Sequence, residues 1–176
     1  MALFTRRDRP PADVIGHLSA GERVVSWADG PGGEVVLATP RGLWWPTDGG
    51  DQRHRLIAWQ HIDKAVWRDQ VLSVVEADVV DDLLLVDRPA VTLELVVPRD
   101  LPPTVRRRVD ANVVRTDVLP ITGGAARFVA RRIPGQDGVV WWARLEPGVR
   151  DDDAVRSSVA MRIAELRASF EVPPER

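Results

Sequence analysis

Residues 34–45 read Glu34-Val35-Val36-Leu37-Ala38-Thr39-Pro40-Arg41-Gly42-Leu43-Trp44-Trp45. Two β-type runs, 34–39 and 42–45, flank the turn Pro40-Arg41-Gly42. A connection this short makes the runs antiparallel neighbours, because a parallel crossover needs a dozen or more residues. The rhythm continues in both directions from Glu22 to Val97, with runs at 23–27, 54–59, 62–68, 71–77, 83–86 and 91–97. Turn clusters separate them, among them Asp29-Gly30-Pro31-Gly32-Gly33, Pro46-Thr47-Asp48-Gly49-Gly50-Asp51, Arg68-Asp69-Gln70 and Asp87-Arg88-Pro89. The pattern predicts an antiparallel meander of roughly seven strands.

Helical signals frame this region. Residues 10–18 open on Pro10-Pro11, place Val14 and Leu18 four apart and stop at Gly21. Prolines suit a first helical turn, where the amide has no partner in any case. Residues 101–112 repeat the device, with Leu101, Val105 and Val109 on one face. Three further strands follow at 113–121, 126–133 and 139–145, and a last helix spans 153–170, with Val155, Val159, Ile163, Leu166 and Phe170 as its apolar stripe. Asp151-Asp152-Asp153 supplies an N-cap and negative charge at the positive end of that helix. The fold class expected is α+β, mainly an antiparallel β barrel or sandwich. Residues 1–112 form a β-rich domain with a capping helix, and residues 113–176 a three-strand-plus-helix extension packed on it as one compact unit.

Composition removes whole classes of function. The 176 residues include no cysteine, so there is no disulfide framework, thiol nucleophile, cysteine-ligated zinc or iron–sulfur centre. The longest apolar runs reach four or five residues, far short of the ~20 that span a bilayer, and Pro10 and Asp13 interrupt any leader after Arg6-Arg7; a soluble, cytoplasmic protein is expected. Net charge is −2, which gives no pull toward nucleic acid. Arginine outnumbers lysine 23 to one; a GC-rich coding bias accounts for that excess without any function.

The segments Gly21-Glu22-Arg23-Val24-Val25, Val35 through Trp44, Leu56-Ile57-Ala58-Trp59-Gln60-His61-Ile62 and Val71-Leu72-Ser73-Val74 resemble the bacterial PH-like (pleckstrin-homology-like) and GRAM-type modules, over residues of about 18–112. The resemblance implies a curved seven-stranded antiparallel barrel plugged by a following helix, here 101–112. Members that bind inositol phosphates carry basic residues in the loop joining the first two strands. The loop Ala28-Asp29-Gly30-Pro31-Gly32-Gly33-Glu34 has two acids and no base, so no site residue is carried over.

Four groups of residues bear on chemistry. The double tryptophans Trp44-Trp45 and Trp141-Trp142 must project to opposite faces of their strands: either both faces are covered or an indole is exposed for a partner. Trp59 and Trp67 are eight apart and share a face if one strand joins them. Arg106, Arg107 and Arg108, with Arg99, and Arg127, Arg131 and Arg132 are the densest basic groups. Arg106, Arg107, Arg127 and Arg131 are the candidate anion ligands, since a planar guanidinium suits phosphate or carboxylate. His61 and Asp63 would share a face of an extended strand and form the one conceivable acid–base pair; His17 and His54 have no placement beside them. Acidic groups at Asp48 and Asp51, at Asp78, Asp81 and Asp82, and at Asp151 to Asp153 fit no calcium loop and read as turns and caps.

The expected function is non-catalytic, with no metal or cofactor: a protein-binding or scaffold module acting through an apolar tryptophan-bearing face or a strand edge. The alternative is a small-ligand or anionic-lipid binder using the arginines of the C-terminal half, with weak membrane-surface contact. A hydrolytic enzyme around His61 and Asp63 is a third and lesser reading.

Overall fold

The computed structural model describes residues 9–16, 18–47 and 54–171; His17 and the Asp48/Asp51 pair lie outside the described residues. Among them the chain forms a single helical turn, α1 (Ala12–Ile15), then β1 (Ser26–Asp29), β2 (Val35–Ala38), β3 (Gly42–Pro46), β4 (His54–Ala58), a 3-10 turn (Trp59–His61), β5 (Ile62–Arg68), β6 (Val71–Val80), β7 (Leu84–Asp87) and β8 (Val91–Glu94). The helix α2 (Leu101–Asn112), strands β9 (Val113–Ile121), β10 (Gly124–Arg131) and β11 (Val140–Leu145), and the helix α3 (Asp153–Glu171) complete it. The fold is α+β with almost entirely antiparallel strands.

Strands β1 to β4 make a four-stranded meander, and the second sheet runs β5-β6-β7-β11-β10-β9 with β8 also on β6. The first half of β6 pairs β5 on one edge and β8 on the other, Leu72 lying opposite both Trp67 and Leu93. Its second half pairs β7, from Ala77 opposite Asp87 to Val80 opposite Leu84. An isolated bridge from Asp29 to Val97 ties the edge of β1 to the chain just beyond β8. Between the two sheets lies a core of Val36, Ala38, Leu43, Trp45, Ile57, Trp59, Ile62, Leu72 and Val74, into which α2 inserts Leu101 and Val105. Strand β2 is buried along its whole length, because its odd residues, Val35 and Leu37, are covered on the outer side by Val14 of α1 together with Leu18, Val24, Trp27 and Trp44. That two-sided burial is why its sequence is an unbroken apolar run.

Residues 83–86, expected in the meander that runs from Glu22 to Val97, form β7 between β6 and β11 in the second sheet, and its contact with β11 is the parallel one, Ala143 opposite Leu84. The tight reversal at Asp81 and Asp82, both with positive φ, folds β7 back on the far half of β6. Leu84 then joins Phe128, Trp141, Val155, Val159 and Ile163 in a second core beneath α3. Asp152 Oδ1 accepts the Val155 amide at 3.0 Å, capping α3 as its acidic start predicts. The helix expected over 10–18 shortens to the four-residue turn α1.

At Gly42, a Cβ would lie 2.2 Å from the Ile57 carbonyl oxygen and 2.8 Å from Ala58 Cα, so β3 and β4 approach there only because position 42 has no side chain. Gly42→Ala should cost about 2–3 kcal/mol in urea unfolding, through strand displacement; an unchanged midpoint would show that the hairpin yields freely.

Candidate functional site

The double tryptophans resolve as the alternation requires, and both faces are covered. Trp45 (5% exposed) sits in the first core, Trp141 (0%) faces α3, and Trp142 (5%) lies on the opposite side of its sheet with Ala77, Leu85 and Val129. Trp44 is half-buried on the outer side of β3, where its Nε1 donates to Glu22 Oε1 at 3.0 Å. Trp45, Trp141 and Trp142 therefore offer no exposed partner-binding face: the opposing sheet covers Trp45, α3 covers Trp141, and His61 of the 3-10 turn meets Trp142. Trp59 and Trp67 reach the same core although the 3-10 turn and a register break after Ile62 interrupt the strand between them.

Asp63 does not serve His61. Arg131 and Arg144 converge on Asp63 Oδ1 at 3.4 and 2.8 Å, and Arg144 also reaches Asp87 at 2.5 Å. His61 instead meets the edge of Trp142, with ring centroids 6.1 Å apart. Burial depresses the His61 pKa below its ordinary 6.5; the nearby Glu76 and Asp78 oppose this and Arg131 and Arg88 add to it. His54 is buried and its Nε2 donates to the Val35 carbonyl at 2.8 Å. Asp78 pairs with Arg88, and Asp81 and Asp151 with Arg156. Among the described residues no three of His, Asp and Glu gather to hold a metal, and no helix is long and apolar enough to cross a membrane.

The four candidate anion ligands do not converge. Arg106 and Arg107 project from α2, Arg106 3.8 Å from Asp110 and Arg107 donating to Thr104. Arg127 and Arg131 share a face of β10, as their spacing requires, and line a cavity of about 210 Å³ with Arg144, Asp63 and Thr116. All three guanidiniums there are already engaged: Arg127 by Glu146 at 3.4 Å, and Arg131 and Arg144 by Asp63. Arg131 is buried and donates to the Ile62 carbonyl at 2.6 Å, so it joins β10 to β5. The loop between β1 and β2 is closed by its own acid, Glu34 Oε2 accepting the Gly32 amide at 2.6 Å.

An apolar concavity lies elsewhere. A groove of about 500 Å³ runs between β5 and α2, lined by Ala65, Val66, Trp67, Leu72, Val105 and Arg106 among others. Strand β5 pairs β6 on one edge, and no strand among the described residues pairs the other. Along β5 the burial alternates: Ala65 and Trp67 are half-buried while Lys64, Val66 and Arg68 are exposed. Trp67 Nε1 is buried with no acceptor, and Arg106 and Asp110 stand on the helix side of the groove. Sequence reasoning saw the β5 run and the α2 stripe but not the space between them, which depends on how far α2 stands from the strand. The alternation of Lys64, Val66 and Arg68 is the one sequence signal that could have marked β5 as an edge.

No protein-family profile matches the chain, and no curated protein or solved structure is significantly similar to it.

Two outcomes follow from these placements. Because His61 is held neutral, the unfolded chain takes up its proton first as pH falls. Stability should therefore drop from about pH 6.5 down to the depressed folded pKa and then level off; His61→Asn should remove that slope in urea titrations between pH 5 and 8. Trp141→Ala should cost about 3–5 kcal/mol, whereas Trp44→Ala, half-buried with one hydrogen bond, should cost about 1–2 kcal/mol. Equal losses would contradict the two environments.

Proposed function

We propose that the chain is a non-catalytic PH-like binding module that takes an extended peptide segment of a partner protein along the free edge of β5, in the groove against α2. The PH-like reading is supported by four strands in one sheet, β5, β6 and β8 opposite them, and a following helix inserted into the core between. The observation that carries the binding reading is the open edge of β5 lying beside an apolar groove. A strand added there gains backbone hydrogen bonds along its length, and every second side chain can enter the space lined by Trp67, Leu72 and Val105. The buried Trp67 Nε1 has no acceptor among the described residues, and a backbone carbonyl of the added segment is a fitting one once the groove adjusts.

Selectivity is built into the same edge. Lys64, the only lysine of the chain, stands exposed on β5; an edge lysine discourages indiscriminate strand pairing. The strand β9 has only β10 as a partner among the described strands. It carries Pro120, which has no amide to donate to an added strand.

A library of displayed twelve-residue peptides selected on the full chain tests this reading. Selected peptides should contain alternating apolar residues, should slow amide exchange at residues 62–68, and should bind almost independently of salt. Val66→Asp should weaken them at least tenfold with the melting temperature unchanged. Failure to enrich any sequence, or protection appearing on β9 instead, overturns the assignment.

A further inference from the structure

The two arginine runs of the sequence do meet, through members other than the four candidates. Arg108, near the C-terminal end of α2, and Arg132, just past the end of β10, line one cleft of about 160 Å³ together with Pro40, Trp59, Ala111, Asn112 and Pro134. Backbone pairing fixes their approach: the Arg132 amide donates to the Asn112 carbonyl at 2.9 Å, and Asn112 Nδ2 donates to the Arg132 carbonyl. No carboxylate lines this cleft. Among the described residues neither Arg108 nor Arg132 makes an ion pair or a side-chain hydrogen bond, in contrast to Arg127, Arg131 and Arg144. Two positive charges therefore stand at a concave site without counter-charge. They outweigh the negative end of α2, which amounts to about half an elementary charge.

A second, independent feature narrows the ligand. Asn112 is buried at 6% exposure, and its Oδ1 has no donor. The hydrogen bond from Nδ2 to Arg132 fixes which end of the amide is free. Asn112 lines the cleft and its unsatisfied Oδ1 is out of reach of solvent in the free protein, so an occupant that shifts this side chain far enough to engage it presents an O–H as well as acceptor oxygens. The volume is that of roughly five water molecules, enough for one tetrahedral oxyanion. We propose that this cleft binds a phosphoryl group, held by Arg108 and Arg132 through charge-assisted hydrogen bonds, with its protonated oxygen donating to Asn112 Oδ1 once binding shifts that side chain and uncovers the atom. The site is separate from the β5 groove and does not depend on the peptide reading.

Isothermal titration of the full chain with inorganic phosphate, at fixed ionic strength and pH 6.5, is the direct test, with sodium sulfate as comparison. Vesicles of phosphatidylcholine containing phosphatidic acid form a second arm. Phosphate should bind saturably and more tightly than sulfate, which has no proton to give Asn112. Arg108→Gln and Arg132→Gln should each weaken it about tenfold or more, while Arg127→Gln should leave it unchanged. Both cleft arginines are unpaired in the free protein, so these variants should melt at the wild-type temperature. Saturation by free phosphate identifies a soluble phosphoryl ligand; arginine-dependent binding to vesicles alone identifies a lipid headgroup. Absence of binding in both arms, equal affinity for sulfate, or variants that bind as wild type overturns the proposal.

Discussion

Strand β6 is the element on which both halves of the molecule depend. Its first four residues are hydrogen-bonded between β5 and β8, and its last four carry β7 and, through it, β11, β10 and β9. Because strand side chains alternate, a slip of one residue would move Leu72 and Val74 out of the first core and disturb the pairing of Val80 with Leu84 at the second. One register therefore sets two cores. Midway, Glu76 (9% exposed) receives Arg55 at 2.6 Å and Arg88 at 3.5 Å, so the point where β6 passes from one environment to the other is held by charge rather than by apolar packing.

A second seam crosses the same boundary. Arg131 of β10 is bound to the Ile62 carbonyl and shares Asp63 with Arg144. Burial lowers the Arg131 pKa, with Asp63 opposing and Arg144 adding to the shift, which marks a guanidinium taken out of water and compensated by fixed partners. Such a group adds little net stability, but removing one partner leaves an uncompensated buried charge and is severe. Its role is therefore orientation: it fixes how β10 sits relative to β5 within the second sheet. The strand residues Asp63 and Arg131 that sequence alone offers to catalysis or anion binding are consumed in that task.

Much of the secondary structure was legible in the sequence. β5, α2 and β9 begin and end where their patterns do, because proline starts, turn residues and period-two alternation are local signals. The partition of strands between sheets was not, since β7 looks like any other short apolar run and only the cover provided by α3 draws it into the second sheet. The tryptophan pairs stated a constraint with two solutions; choosing between them required knowing what lay above and below each strand. The arginines illustrate the same limit from the other side. Composition and spacing single out two basic runs, but whether a given guanidinium is free depends on acids distant in sequence, as Arg127 with Glu146 and Arg131 with Asp63 show.

The β5 groove and the cleft of Arg108 and Arg132 share one helix as a wall. Pro102, Val105, Arg106 and Asp110 of α2 face the β5 groove, while Arg108, Ala111 and Asn112 face the cleft with Arg132. The helix is anchored from within by Leu101 and Val105, exposed at 0% and 1%, and at its end by backbone pairing to Arg132. A rod held at two points transmits displacement instead of absorbing it, because a packed core shifts between discrete arrangements and does not deform continuously. An occupant that moved α2 relative to β5 would carry Arg108 and Asn112 with it, and by thermodynamic reciprocity any change this made to binding in the cleft would be returned to the groove to the same degree. An occupant that leaves α2 in place couples to nothing, so the width of the groove in the free protein decides whether the two sites are independent.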